Sequence, residues 1–159
     1  MASPNADDRF VFCEWAKREG FTYPDRAEPM LERCGSPAEA HFLRRLFESS
    51  STLYAGNESA YCRGVTITPQ VRCHPYRIDV VAKRGRVRVA CEIDGFEYHS
   101  SRAQVASDYH RQRRLLCAGY IVMRFTASEA ISHPTECWRD VFSAIRAHAS
   151  LTDEEWESA

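Results

Sequence analysis

The chain is expected to fold as one α/β domain, a mixed four-stranded sheet flanked by helices, and three observations carry that expectation. From Tyr76 to Asp94 apolar and polar residues alternate on both sides of a glycine-containing turn, as in a β-hairpin. Helical periodicity brackets the hairpin, with Ala40, Leu43, Leu46 and Phe47 before it and Val105, Tyr109, Gln112, Leu115 and Leu116 after it. The second helix leads directly into Tyr120 to Phe125, a run suited to a buried strand added in parallel through a crossover. With 159 residues, 44% hydrophobic and 27% charged, the chain has the size and composition of a single globular domain.

In chain order, Phe10, Val11 and Trp15 suit a short amphipathic helix over Asp7 to Glu19, ended by Gly20. Pro24 to Gly35 reads as a loop, so residues 1–34 form a helical extension ahead of a main domain at 35–149. Ser36-Pro37-Ala38-Glu39 is a helix start, with Ser at the N-cap, Pro at the first helical position and Glu three residues on, and the helix runs to about Ser49. Ser49 to Asn57 is small and polar and reads as a loop. Val65, Ile67 and Val71 mark a strand interrupted near Pro69. After the hairpin a helix spans about Ala103 to Ala118 with Gly119 as its cap. A last helix starts at Ser128 or Thr135 and buries Trp138, Val141, Phe142 and Ile145. Residues 150–159 form an acidic tail.

The hairpin also predicts a site. Tyr76, Ile78, Val80 and Ala82 should share one face, and Val87, Val89, Cys91 and Ile93 must meet them, so even positions of the first strand pair with odd positions of the second. A connection of two or four residues around Arg84 and Gly85 satisfies that register. Asp79, Glu92 and Asp94 then gather on the opposite, polar face. Three like charges repel unless a cation or ligand offsets them, which points to a metal site.

Composition narrows the partners. Formal net charge is -1, but residues 61–125 carry 12 basic and 5 acidic side chains, while the flanking segments are acidic. A polyanion would be drawn to that basic middle. The seven cysteines are odd in number and never in a CxxC spacing, so reduced, mostly buried thiols are expected rather than a disulfide framework. The N-terminus lacks an apolar signal and no stretch could span a bilayer, which predicts a cytoplasmic protein with no membrane partner. No feature sets the oligomeric state.

The spacing of Asp79, Glu92 and Asp94, preceded by a helical Glu39, resembles the PD-(D/E)XK nuclease superfamily. With Ser36 to Glu39, Gln70, the YRID and EIDG motifs, His99, Asp108, Arg111, Leu115, Gly119-Tyr120 and Arg124-Phe125, the chain is similar to an uncharacterised bacterial endonuclease-related family. That family is itself similar to very short patch repair (Vsr-like) and EDxHD homing endonucleases. The resemblance implies a restriction-endonuclease-like αβββαβ core in a bacterial or phage-like protein. It also implies hydrolysis of DNA phosphodiester bonds, dependent on Mg²⁺ with Mn²⁺ as a substitute. Asp79, Glu92 and Asp94 would hold the ion, since magnesium takes hard oxygen ligands and keeps several waters. Asp94 stands where the superfamily usually has a lysine that positions the attacking water; very short patch repair enzymes have a histidine there.

His99 matches the histidine that ends the family motif, and an imidazole could take a proton from the attacking water or give one to the leaving oxygen. Asp108 could orient His99 or bind metal. Arg102, Arg111, Arg113 and Arg114 could contact phosphates beside the scissile bond. Each residue also has a structural reading. Asp79 could pair with Arg77 or Arg88, Asp108 with Arg111 or Gln112, and the capping box accounts for Glu39 locally. His99 could be a turn histidine, and the arginines a solvated basic face. Phe96, Tyr98 and Trp15 are DNA wedges or core residues. Cys62, Cys73 and His74 could hold a structural zinc, though their spacing does not favour it. Two other functions stay open: a nuclease-like module that binds nucleic acid or protein without turnover, and a metal-dependent hydrolase of small molecules, which suits the basic segment less well.

Overall fold

The computed structural model describes residues 28–49, 53–55, 58–95 and 102–149. In order these form α1 (Glu28–Leu31), α2 (Pro37–Ser49), β1 (Leu53–Ala55), β2 (Ala60–Cys62), β3 (Val65–Cys73), β4 (Tyr76–Arg84), β5 (Val87–Asp94), α3 (Arg102–Cys117), β6 (Ile121–Thr126), α4 (Ala127–Ser132) and α5 (Pro134–Ala149). One sheet holds the strands in the order β1-β2-β3-β4-β5-β6, antiparallel throughout except for the parallel pair β5 and β6. The helices lie on both faces, so the restriction-endonuclease-like architecture is observed. The sheet is two strands wider than the four expected. β1 falls in the stretch read as loop and β2 in one given no element, because a three-residue strand is too short to display alternation. A turn holds β2 on β3: Arg63 and Gly64 have φ of 52° and 79°, the two positive values of a type I′ loop.

The expected hairpin register is observed, with Val80 opposite Cys91, Ala82 opposite Val89 and a two-residue loop at Gly85 and Arg86. Val80, Ala82, Val89, Cys91 and Ile93 pack beneath α2, α4 and α5 in the larger core. The expectation that Tyr76 and Ile78 share this face is corrected. Ile78 instead joins Val81, Ala90 and Leu115 in a smaller core under α3, with Val71 against it. The change of side falls at one place on both strands. Gln70 has φ 57°, a left-handed conformation in a strand, and the ladder omits its pairing with Asp79 while keeping Pro69 with Val80 and Val71 with Ile78. A left-handed residue turns the following side chain to the other face, which alternation in the sequence cannot reveal.

Two helix assignments change as well. Met30 and Leu31, expected in a loop, lie on α1 and are buried in the main core. The last helix is two: Thr126 caps α4 through a reciprocal box with Glu129, and Pro134 restarts the chain as α5, because a proline disfavours helical backbone at the preceding residue. Trp138 stacks on Phe42 with centroids 4.4 Å apart and donates its ring N–H to the Phe42 carbonyl, tying α5 to α2. Among the described side chains of α3 only Leu115 is fully buried; Tyr109 and Leu116, expected inward, face solvent because α3 covers the small second core. Gly119 ends α3 as expected, with φ 83° and the paired bonds Tyr120 N to Leu115 O and Gly119 N to Leu116 O. The helix at Asp7 to Glu19 and the tail at 150–159 lie outside the described residues. No helix among the described residues is long and apolar enough to cross a membrane.

Candidate active site

The site forms where β4 and β5 part. Their ladder runs from Arg84 and Val87 to Val80 and Cys91 and goes no further. At the next position Asp79 accepts the backbone N–H of Ile93 at 2.8 Å, so a carboxylate completes what a ladder carbonyl would otherwise do. β5 continues, held from its other side by β6, with Glu92 beside Arg124 and Asp94 beside Thr126. Asp79 and Glu92 are thereby fixed on two well-paired strands.

The N-terminal end of α2 adds a third carboxylate. Ser36 accepts the Glu39 N–H at 3.3 Å, which is half of the expected capping box. The other half is redirected, because the Glu39 carboxylate accepts from Gly35 N at 2.7 Å and from the Gln70 amide. Gly35 leaves room for this arrangement: a Cβ there would lie 3.2 Å from Glu39 Oε1 and 3.3 Å from Gln70 Nε2, so both side chains would have to shift by a few tenths of an ångström. Glu39 is 5% exposed, so its role exceeds that of a surface cap.

Burial and crowding raise the pKa of Asp79 and Glu92. Burial pushes Glu92 from an ordinary 4.5 to about 7, with Asp79 and Asp94 adding to the rise and Arg111 and Arg124 opposing it. Asp79 is also raised, first by burial, with Glu39 and Asp94 adding to it and the Ile93 N–H and Arg111 working against it. Cys34, beside Glu39 and Asp79, is driven up to about 12, chiefly by burial, which favours the protonated thiol near neutral pH.

Two arginines thread this cluster. Arg111 on α3 pairs with Glu92 Oε2, donates to the Arg77 carbonyl at 2.7 Å and lies over Tyr76. Arg124 on β6 grips both oxygens of Asp94, at 3.0 and 2.7 Å, and lies 3.7 Å from Asp108. Among the described residues three buried side-chain polar atoms are without a hydrogen-bond partner: Glu92 Oε1, Gln70 Oε1 and Arg111 Nε. Glu92, Asp108, Arg111 and Arg124 line a cleft with Gln112, Leu115 and Val122.

Of the residues singled out from sequence, Glu39, Asp79, Glu92, Asp94, Asp108 and Arg111 thus come together. Arg113 and Arg114 are exposed on α3. His99, Phe96, Tyr98, Trp15 and the Arg102 side chain lie outside the described residues. Cys62 and Cys73 pack in different cores and His74 is exposed, so no zinc site assembles from them. Gln70 and Arg124 belong to the site without having been given a role. The signals for Arg124 were its place among the residues that carry the family resemblance and its charge within a mostly apolar strand.

The donor set fits a hard divalent cation. Glu92 Oε1 is a buried acceptor with nothing to accept, Asp79 and Glu92 are the next residues past the end of the β4–β5 ladder, and both carboxyls are disfavoured as anions in their present surroundings. Asp94 is taken up by Arg124. Among the described residues no three His, Cys, Asp or Glu side chains are grouped to hold a metal, so the fit is to two carboxylates completed by water and substrate oxygen. A family model described as REase_MTES_1575, a restriction-endonuclease-like family, matches residues 59–145, more than half of the chain. No match is found among curated proteins or solved structures.

Proposed function

The chain belongs to this restriction-endonuclease-like family, and on that premise we propose that it is a DNA endonuclease dependent on a divalent cation, Mg²⁺ or in its place Mn²⁺, held by Asp79 and Glu92. The observation that carries the reading is the partnerless, buried Glu92 Oε1 beside Asp79 where the two strands part. When bound, the ion would offset the carboxylates, place positive charge against the phosphate and make the attacking water more acidic.

The residues supply the rest. Arg111 neutralises Glu92 Oε2 and holds that side chain in place, leaving Oε1 as the donor. Gln70 and Gly35 hold Glu39, whose charge acts on Asp79. Asp94, locked by Arg124, serves as a fixed negative charge rather than a ligand. His99 exchanges a proton with the attacking water or leaving oxygen, with Asp108 orienting it. Arg113 and Arg114, exposed on α3, contact the flanking phosphates. A Vsr-like nicking or repair role is one form of this activity.

A second reading has an observation of its own. Arg111 and Arg124 already balance Glu92 and Asp94, an arrangement that also suits a nuclease-like module that binds nucleic acid or protein without turnover. Incubation of the purified chain with supercoiled plasmid in Mg²⁺, Mn²⁺ or EDTA separates the two. Nicked or linear product is expected with either metal, none with EDTA and none from Asp79→Asn. DNA binding without cleavage in every condition would establish the non-catalytic module, and cleavage by Asp79→Asn at the wild-type rate would remove Asp79 from the chemistry.

A further inference from the structure

A second groove lies away from the carboxylates. It is bounded by Leu46, about two turns along α2 from Glu39, by Arg63 in the β2–β3 turn, and by Thr135, Trp138, Arg139, Phe142, Ser143 and Arg146 of α5. Its volume is about 290 Å³. We propose that this groove is a phosphate-binding site that takes a nucleotide-sized phosphate ester, either free or at the end of a strand.

Charge sorting on α5 is the first argument. Residues 126–159 contain seven acidic side chains and only two basic ones, Arg139 and Arg146, and both basic residues line this groove. The three of these acids that lie among the described residues, Glu129, Glu136 and Asp140, line a separate groove along the β6 edge. Among the described residues lining the phosphate groove there is no carboxylate. Arg63, Arg139 and Arg146 thus bring three guanidinium groups to the walls of one volume, a lining that suits an anion.

The second argument is how Arg63 is held. It occupies the first position of the β2–β3 turn at φ 52°, where glycine or asparagine would be the unstrained choice. Its guanidinium lies 5.7 Å from the Phe142 ring centroid, which brings it across the groove to the α5 side. The geometry and donors suit a phosphate. Arginine presents a planar fork that matches two phosphate oxygens, and the Thr135 and Ser143 hydroxyls supply further donors. At this volume the groove is at the lower end of the usual range for ligand pockets, roughly 300 to 1,000 Å³, which suits a single nucleotide and not a larger cofactor.

The test uses the full chain with sodium phosphate, adenosine monophosphate and two single-stranded oligonucleotides that differ only in a 5′-phosphate, each titrated calorimetrically at low salt. Arg139→Gln keeps a good helix former on an exposed face, and Arg63→Asn suits the left-handed turn, so both variants should fold. At least one phosphate-bearing probe is expected to bind the wild type, with affinity reduced about tenfold or more in each variant and unchanged in Asp79→Asn. Binding of phosphate or the mononucleotide identifies a free ligand; binding of the 5′-phosphorylated oligonucleotide alone identifies a strand end. Equal affinity in wild type, Arg139→Gln and Arg63→Asn, or no binding by any probe, would overturn the proposal.

Discussion

Replacing Glu92 by Gln should stabilise the protein at alkaline pH and leave it unchanged in acid. Burial is the main reason that Glu92 ionises at about 7 in the fold rather than near 4.5. Below pH 4.5 the folded and unfolded chains both carry the proton, and Glu92 costs nothing. Between 4.5 and 7 the unfolded chain gives up the proton while the fold retains it, so stability falls as pH rises; above 7 the loss is complete. At roughly 1.4 kcal/mol per pH unit the accumulated cost is about 3 kcal/mol. The attraction to Arg111 is already included, since it acts against the rise. Glutamine has the shape of the protonated acid. Urea denaturation followed through tryptophan fluorescence, Trp138 being buried, should therefore give Glu92→Gln about 3 kcal/mol more stability than wild type at pH 8 and nearly none more at pH 4. Mg²⁺ at pH 8 should narrow the gap by stabilising wild type alone. A difference that does not vary with pH, or a variant less stable than wild type at pH 8, would refute the buried, crowded carboxylate.

Replacing Arg124 by Gln breaks the two-pronged grip on Asp94 and should cost about 1–2 kcal/mol; in an Asp94→Asn background the cost should nearly vanish, and an unchanged cost in that background would show that Arg124 acts through other contacts. Arg113→Ala with Arg114→Ala should reduce the slope of log affinity for duplex DNA against log salt by about 0.9 per lost phosphate contact. An unchanged slope would place the DNA on another surface. His99→Ala and Asp108→Ala should each lower the cleavage rate roughly 10² to 10⁴-fold, with the double variant little worse than the poorer single, as members of one catalytic unit behave. Cleavage by His99→Ala at the wild-type rate would return His99 to a turn residue.

Local pattern determined much of this protein. The hairpin register follows from matching two apolar faces across a two-residue loop, and that matching by itself predicts that Asp79 and Glu92 lie near one another. Capping signals gave the start of α2, glycine the end of α3, and an apolar run after a helix the parallel β6. These are all interactions between neighbours in sequence or across one turn, and residue type alone encodes them. What the tertiary structure decided depends on partners far apart in the chain. The left-handed Gln70 turns Val71 and, across the ladder, Ile78 to the α3 side, so two cores replace one apolar face. Glu39 is drawn from its cap to Gln70, 31 residues away, and Arg111 and Arg124 fold onto Glu92 and Asp94. Buried charges find whichever counter-charges the packing brings near. That choice is made only once the sheet, α2 and α3 have closed around them, because desolvation then makes each missing partner costly.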